Sequence, residues 1–521
     1  MIRITQIKCL NENKIETQIL KKLHISKKDL LSWQIHRRSI DARHQKILFS
    51  YIVDACVRKE ERFLKLRDVS VTPDETYVNV PCGTMPLKHR PVVVGFGPSG
   101  MFAALLLARQ GYKPIVLERG SQIDRRQKVV QAFWNGDDLD PECNVQFGQG
   151  GAGAFSDGKL TTRSKDARAR KVLEELVEMG ADPDILIDAH PHIGTDGFVP
   201  VLKKLQETIE TLGGTFYYDT ALQDLIVEDG KLQAIEISKG RIPCEQLILC
   251  IGHSATDTVR MCAKRGMIIE NKPFAVGVRI EHKQSFVDRS ILREMAKDDR
   301  FRPARYQLSM TAQNQKGVYS FCMCPGGYVI PSSSSIGQLV INGMSYADRS
   351  GENANSALLV QVNASDYGTH LFAGLEYQEQ LEKKAFAMAK DYRACVQLSK
   401  DYLANRISTG FGNVLPTYQR KTTFVDLNQL FSPSVNAALH EGLLYFEKRM
   451  PGFSLQDAVL SAVESRSSSS VRLVRDASLQ SNIQGIYPCG EGSGYAGGIM
   501  TSAIDGIKCA EKMIESFAKP L

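Results

Sequence analysis

The sequence predicts an α/β protein. Its core is a Rossmann-type dinucleotide-binding domain, discontinuous in the chain, with an inserted mainly-β domain and a small α+β domain ahead of it. Three observations predict this. The glycine-rich turn Val92-Val93-Val94-Gly95-Phe96-Gly97-Pro98-Ser99-Gly100 follows an apolar strand and opens an apolar helix. A second such segment, Cys489-Gly490-Glu491-Gly492-Ser493-Gly494-Tyr495-Ala496-Gly497-Gly498-Ile499, lies near the other end of the chain, again between strand and helix patterns. Between them, alternating strands and helices give way at about residue 271 to a run of strand-like segments.

Residues 1–85 form the first unit. Residues 3–9 read as a strand, 16–23 have helical spacing, 29–33 a short helical stretch after Ser26, and 34–39 and 45–57 read as strands. Residues 81–91 are the linker. Residues 91–270 hold the first part of the nucleotide domain, beginning with strand 91–94, helix 101–110, stopped by Gly111, and strand 114–117. Helices at 166–179 and 198–212 and strands at 214–218, 221–228, 232–238 and 246–250 continue it. Residues 271–425 form the insertion, with strands at 274–280, 317–322, 328–331 and 338–342, a turn at 332–335 and a long helix over 377–398. Residues 426–521 return to the nucleotide domain with strand 485–488 and helix 499–517.

Composition narrows the class. The 521-residue chain is 43% hydrophobic, ordinary for a globular protein of about three domains. No apolar run reaches the ~18–20 residues that span a bilayer. The first residues alternate and lack a signal-peptide core, which points to the cytoplasm. Twelve cysteines lack framework spacing and are expected to stay reduced; none has a second pair at zinc-site spacing, so no metal is expected. Net charge is +7, but residues 1–90 hold 18 Lys+Arg against 10 Asp+Glu, or +8, leaving −1 for the rest.

The first motif has a mechanical meaning. Gly95 permits the tight turn, Gly97 lets the backbone approach a pyrophosphate, and Gly100 lets the helix pack on the sheet. Pro98 and Ser99 start a helix whose N–H groups and dipole favour phosphate. Glu118, followed by Arg119, ends the second strand 18 residues after Gly100, where an acid accepts ribose hydroxyls. Three features favour FAD over NAD. The apolar strand before Gly252 ends in glycine where the insertion departs. The segment Gly490, Glu491, Gly497, Gly498 and Ile499 brings a second helix N-terminus to the cofactor. The loop around Gln149, Gly150, Gly151 and Gly153 can bring backbone close to a flat ring. The expected cofactor is non-covalent FAD. There is no second GxGxxG, so NAD(P)H is expected only as a transient hydride donor in the substrate cleft.

At these motifs the sequence resembles bacterial FAD-dependent dehydrogenases of unassigned substrate, the NAD(FAD)-utilising type. The resemblance runs through residues 2–57, 93–120, 146–163, 190–196, 250–258, 321–327, 464–472 and 490–499. It implies a glutathione-reductase-type FAD domain and names no substrate. More distantly, the fold is similar to that of geranylgeranyl reductases and of flavoproteins that modify tRNA.

Candidate catalytic groups are Cys322, Cys324 and His253. Cys322 and Cys324 lie two apart on a strand and so face the same way, either towards the flavin or as buried small hydrophobes. His253 follows Gly252 directly; His253, His190 and His192 are each acid–base candidates or structural histidines. Arg466 and Arg472 flank four serines and serve either an anion or the surface. Arg37, Arg38, Arg43 and Lys46, beside Trp33, His36 and His44, form either an RNA-binding patch or a solvated face. The expected function is hydride transfer between flavin and a small-molecule substrate. The alternatives are an FAD protein that acts on RNA and a non-catalytic flavin binder.

Overall fold

Val92, Val93 and Val94 are buried, as a β-branched run inside a parallel sheet must be. They form the central strand of a five-stranded parallel sheet ordered Ile486–Pro488, Leu247–Leu249, Val92–Val94, Ile115–Leu117, Thr215–Tyr217. The computed structural model describes residues 1–42, 47–162 and 164–520. Numbered along the chain, the strand order is 5-4-1-2-3, the doubly wound order read from one edge. The order reverses between Val92–Val94 and Leu247–Leu249, so a crevice opens beyond their carboxyl ends. Helix Pro98–Arg109 is buried from Ser99 to Ala108, held between the sheet and helix Ile499–Ser516. Such an all-round apolar helix needs partners on both sides.

The insertion is built on a seven-stranded sheet ordered Ser309–Thr311, Gly317–Cys324, Asn353–Val362, Phe274–Lys283, Val459–Glu464, Ala394–Leu398, Thr422–Phe424. Its central strand, Phe274–Lys283, has two unlike faces. Val276, Val278 and Ile280 enter an apolar core with helices Ala373–Ala389 and Pro433–Arg449. The alternate residues Arg279 and Glu281 are buried on the other face. That polar face is what the insertion turns towards the crevice.

Within the insertion, two segments differ from expectation. Residues 377–398 are not one helix: the helix ends at Ala389, Lys390 is left-handed (φ 67°), and Ala394–Leu398 is a strand. That strand is specified by long-range pairing with Val459–Glu464, which local spacing does not reveal. Strand Val459–Glu464 belongs to the insertion's sheet, so that sheet reaches past residue 425, where the sequence places the return.

The N-terminal unit is an antiparallel sheet ordered Leu30–Asp41, Leu48–Val57, Ile2–Cys9, Val69–Val71, with helix Ile15–Leu23 against it. The helical stretch expected at residues 29–33 is a strand start instead. Leu30 and Trp33 pair with Val57 and Ala55, and that ladder overrides local propensity. The unit docks on the parallel-sheet domain through Arg38 N–H to Ile187 O (2.6 Å) and Ala189 N–H to Arg38 O (2.8 Å). It meets the insertion where Phe49 stacks on Phe301 at 4.7 Å.

Candidate active site

One long cleft runs from the glycine turn to the polar face of the insertion's sheet. Gly95, Gly97, Pro98, Ser99 and Glu118 line one end; Phe321, Cys322, Asn342 and Glu464 line the other. Gly95 has φ 95°, and a Cβ there would lie 2.2 Å from Cys250 O. A Cβ on Gly100 would lie 1.9 Å from Gly95 O, so only glycine lets this helix start so near the sheet. A Cβ on Gly151 would lie 2.9 Å from Gly97 Cα: the two glycine segments press their bare backbones together beside the cleft. No side chain caps helix Pro98–Arg109, which leaves its first turn to an outside acceptor.

Glu118 is 5% exposed and joins three loops. Its carboxylate accepts from the N–H groups of Phe96 (2.9 Å), Gly120 (3.0 Å) and Gly148 (2.9 Å). Arg119 closes the rim, pairing with Glu142 (2.9 Å) and Asp257 (3.0 Å) and lying 4.3 Å from the centre of the Phe147 ring. Burial lowers its proton affinity, but those two carboxylates more than offset this.

Gln149, Gly150 and Gly490 stand behind the cleft wall. The Gln149 side chain accepts from Ile123 N–H (2.8 Å) and donates to Gln206 (2.9 Å). Gly150 N–H donates to Phe96 O (2.9 Å), and Gly490 N–H donates to Asp505 (2.8 Å). Gly151, Gly153, Gly252, Glu491, Gly497, Gly498 and Ile499 line the cleft. The Glu491 carboxyl is pushed up to about 7, chiefly by burial, with Lys272 opposing.

What fixes the loop is Arg126, which sequence reasoning missed. It lies on helix Ile123–Asn135 and is fully buried. Its guanidinium donates to the carbonyls of Asn144 (2.9 Å), Val145 (2.8 Å), Gly148 (3.1 Å), Gln149 (2.8 Å) and Gly151 (2.9 Å). Burial lowers its pKa to about 10, so it stays a cation at neutral pH. An amphipathic pattern over 123–135 was the available signal.

His253 lines the cleft, with Nδ1 3.0 Å from Ser254 Oγ. Burial, helped by the charge of Arg466, pushes it down to about 4. His190 and His192 lie apart from the cleft lining; His192 Nε2 is 3.1 Å from Ala347 O. Arg466 is 7% exposed and bidentate to Glu382 (2.6 and 2.9 Å). Its Nη1 is buried without an acceptor among the described residues, and the residue lines the cleft. Arg472 is exposed, with its guanidinium 5.4 Å from the Tyr495 ring.

At the insertion end, Lys159 Nζ is 3.9 Å from both Cys322 Sγ and Cys324 Sγ. Arg279 Nη2 is 3.8 Å from Cys324 Sγ and donates to Cys322 O (2.9 Å). Asp157, fully buried, pairs with Lys159 (3.0 Å) and Arg349 (2.6 Å). Burial raises the Asp157 pKa, but these cations win and hold it at about 2. Asp157 and Lys159 share one loop, and only the fold brings Arg279 and the two cysteines to them from far along the chain.

In the N-terminal unit, Arg38 pairs with Glu12 (3.1 Å) and Asp184 (2.8 Å), and Arg3 with Asp54 (2.8 Å) and Glu75 (2.8 Å). Arg43, His44 and Lys46 lie outside the described residues. Cys489, Asp505 and Cys509 converge, but Arg475 pairs with Asp505 at 2.6 Å and lies 3.6 Å from Cys509 Sγ. A guanidinium occupies the charge a metal would need. No helix among the described residues is long and apolar enough to cross a membrane.

Comparisons with known proteins bear on this site. Residues 273–467 match the family described as FAD-dependent protein, C-terminal domain-like, and residues 1–56 match a domain of unknown function. An uncharacterized protein of Clostridium beijerinckii is 45% identical over 516 residues, covering 98% of this chain and 97% of that protein. Among solved structures, the chain has a weak likeness to L-proline dehydrogenase from P. horikoshii, with a TM-score of 0.34 and 12% identity over 82% of this chain and 93% of that one. A similar likeness links it to glycine oxidase from Bacillus cereus, with a TM-score of 0.30 and 11% identity over 82% and 95% of the two chains.

Proposed function

The chain belongs to one family with the Clostridium protein and carries an FAD-dependent domain, and from that premise we propose that its cleft is the active site of a flavin oxidoreductase. One observation carries the reading. The glycine turn, the carboxylate of Glu118 and the unpaired Arg466 Nη1 converge on one cleft at the reversal point of a doubly wound sheet. The residues fit the cofactor. Gly95 to Gly100 leave backbone N–H and space for a pyrophosphate, and Glu118 sits where a ribose hydroxyl donates. Arg466 Nη1 is a buried donor that needs an acceptor, and a flavin carbonyl is one.

When bound, the flavin supplies a two-electron acceptor for hydride. The chain's own residues do the rest. Arg126 holds the loop that carries Gly151 and Gly153 in one shape. His253 is neutral at physiological pH, and with Nδ1 at Ser254 Oγ its Nε2 is the nitrogen left for substrate. Glu491 titrates near neutrality beside the second helix N-terminus and can hold or release a proton there. The FAD is held without a covalent bond. An NAD(P)H donor reaches it through the same cleft, and the twelve free cysteines suit the reducing cytoplasm. Anaerobic mixing of the flavin-loaded protein with NADH and with NADPH tests the oxidoreductase reading, together with a panel of amine and hydroxy-acid substrates. Bleaching of the visible flavin band by at least one is expected; a flavin that no donor reduces overturns it.

A further inference from the structure

Cys322 and Cys324 lie where the strand Gly317–Cys324 loses its regular pairing. The register with Asn353–Val362 shifts between Phe321 and Cys324, and Cys322 adopts φ 45°. A non-glycine residue in that region marks a backbone held by its surroundings. In a regular strand residues two apart are ~6.8 Å apart along the chain, at the edge of what a disulfide spans. The bulge breaks that regular spacing, and both sulfurs lie against one ammonium, at 3.9 Å each. Cys322 lines the cleft, whereas Cys324 is buried behind it.

The charges around the pair favour a thiolate. Facing the sulfurs are Lys159, Arg279 and, further round, Asp157, Glu464 and Glu491. Cys324 Sγ lies 3.2 Å from the Cys322 carbonyl oxygen and within hydrogen-bonding reach of its sulfur; with Lys159 and Arg279 it holds the Cys322 thiol well below its ordinary range, although burial opposes. The same hydrogen bond and burial raise Cys324. One thiolate and one thiol therefore share a site with two cations, the state from which a disulfide forms. A pair of inert buried cysteines needs neither a half-buried lysine between them nor a bulge.

We propose that Cys322 and Cys324 are a redox-active dithiol that exchanges an electron pair with the flavin across the cleft. The proposal rests on the flavin reading for its electron acceptor. In the oxidising direction the Cys324 S–H bond breaks and a Cys322–Cys324 S–S bond forms. The electron pair and that proton pass to the oxidised flavin, which becomes the anionic reduced form. Cys322, open to the cleft, is the sulfur that an incoming thiol or disulfide meets, and this points to thiol or disulfide compounds as the external redox partner. Lys159 and Arg279 are positioning residues that hold the thiolate.

Two measurements on the purified holoenzyme test this. In anaerobic dithionite titration after mild oxidation, the wild type takes up about four electrons per flavin, because the disulfide is itself a two-electron couple. Cys324→Ser takes up about two, with an unchanged flavin spectrum showing that the variant is folded. In the reduced protein, iodoacetamide labels Cys322 faster than the other cysteines, and Lys159→Met slows this about tenfold. Uptake of two electrons by the wild type, or Cys322 labelling no faster than its neighbours, overturns the proposal. A colourless protein that still forms the Cys322–Cys324 disulfide with dithiodipyridine, seen by peptide mass, overturns the flavin exchange but leaves the thiol pair standing.

Discussion

Arg279 and Glu464 form an ion pair sealed inside the insertion's sheet. Arg279 Nη1 lies 3.0 and 3.1 Å from the two carboxylate oxygens, and the arginine is fully buried. The same guanidinium donates to Asn355 (2.9 Å) and to the carbonyl of Cys322 (2.9 Å). The pair therefore ties the sheet's polar face to the bulge that carries the thiols. Removing one partner leaves an uncompensated buried charge, which costs about 3–5 kcal/mol. Glu464→Ala is expected to lose about that much by denaturant unfolding. The double change Arg279→Met with Glu464→Met recovers most of it, and a double variant as unstable as the single one contradicts the assignment.

Arg126 is expected to matter both for the fold of its loop and, through that loop, for the cofactor. Its five carbonyl partners belong to one stretch, Asn144 to Gly151. Arg126→Met strands them, at about 1 kcal/mol or more each where water cannot reach. FAD affinity should fall at least about tenfold, read by fluorescence titration. Equal affinity in wild type and variant would show that the loop does not need this clamp.

Gly100 and Gly410 make a matched pair of substitutions. A Cβ at Gly100 meets Gly95 O at 1.9 Å, while one at Gly410 meets nothing within 4 Å. Gly100→Ala is expected to lose FAD binding and lower the melting temperature. Gly410→Ala should stay within about 0.5 kcal/mol of wild type. Similar behaviour of the two would contradict the close approach of helix and sheet.

The pH dependence of the cofactor-free protein follows from Glu491 and His253. A raised carboxyl binds its proton more tightly folded than unfolded. Glu491 therefore favours folding at low pH, and that advantage is lost as pH rises from the ordinary carboxyl range to about 7. His253 is lowered to about 4, so the folded state resists its protonation, and stability is lost as pH falls from its ordinary range towards 4. The two windows overlap and oppose each other, so Glu491→Gln should make stability rise more steeply with pH between the ordinary carboxyl range and about 7. If denaturant midpoints move with pH identically in both proteins, Glu491 is not the group that titrates.

The parts of the site legible in the sequence are those where backbone shape dictates residue type. The turn at Gly95 admits only glycine-like φ, and an acid directly after a buried strand is conspicuous, so both stood out locally, although Glu118 also ties three loops together. Side chains that act through long-range contacts did not. Lys159 meets Cys322 and Cys324 across 163 and 165 residues of chain. Arg279 offered a partial signal, since a guanidinium inside the otherwise apolar stretch 274–280 needs a buried partner. Gln149 shows the converse: its place in a glycine-rich loop suggested cofactor contact, yet its amide is spent joining two helices. Strand Ala394–Leu398 was hidden because its partner lies more than 60 residues on.

The central claim is that this cleft holds FAD, and the most direct measurement is denaturation of the purified protein followed by mass identification and quantitation of what it releases. The account predicts a yellow protein that, unfolded by heat or acid, releases FAD intact at about one molecule per chain. A colourless protein that takes up no FAD when it is supplied would contradict it.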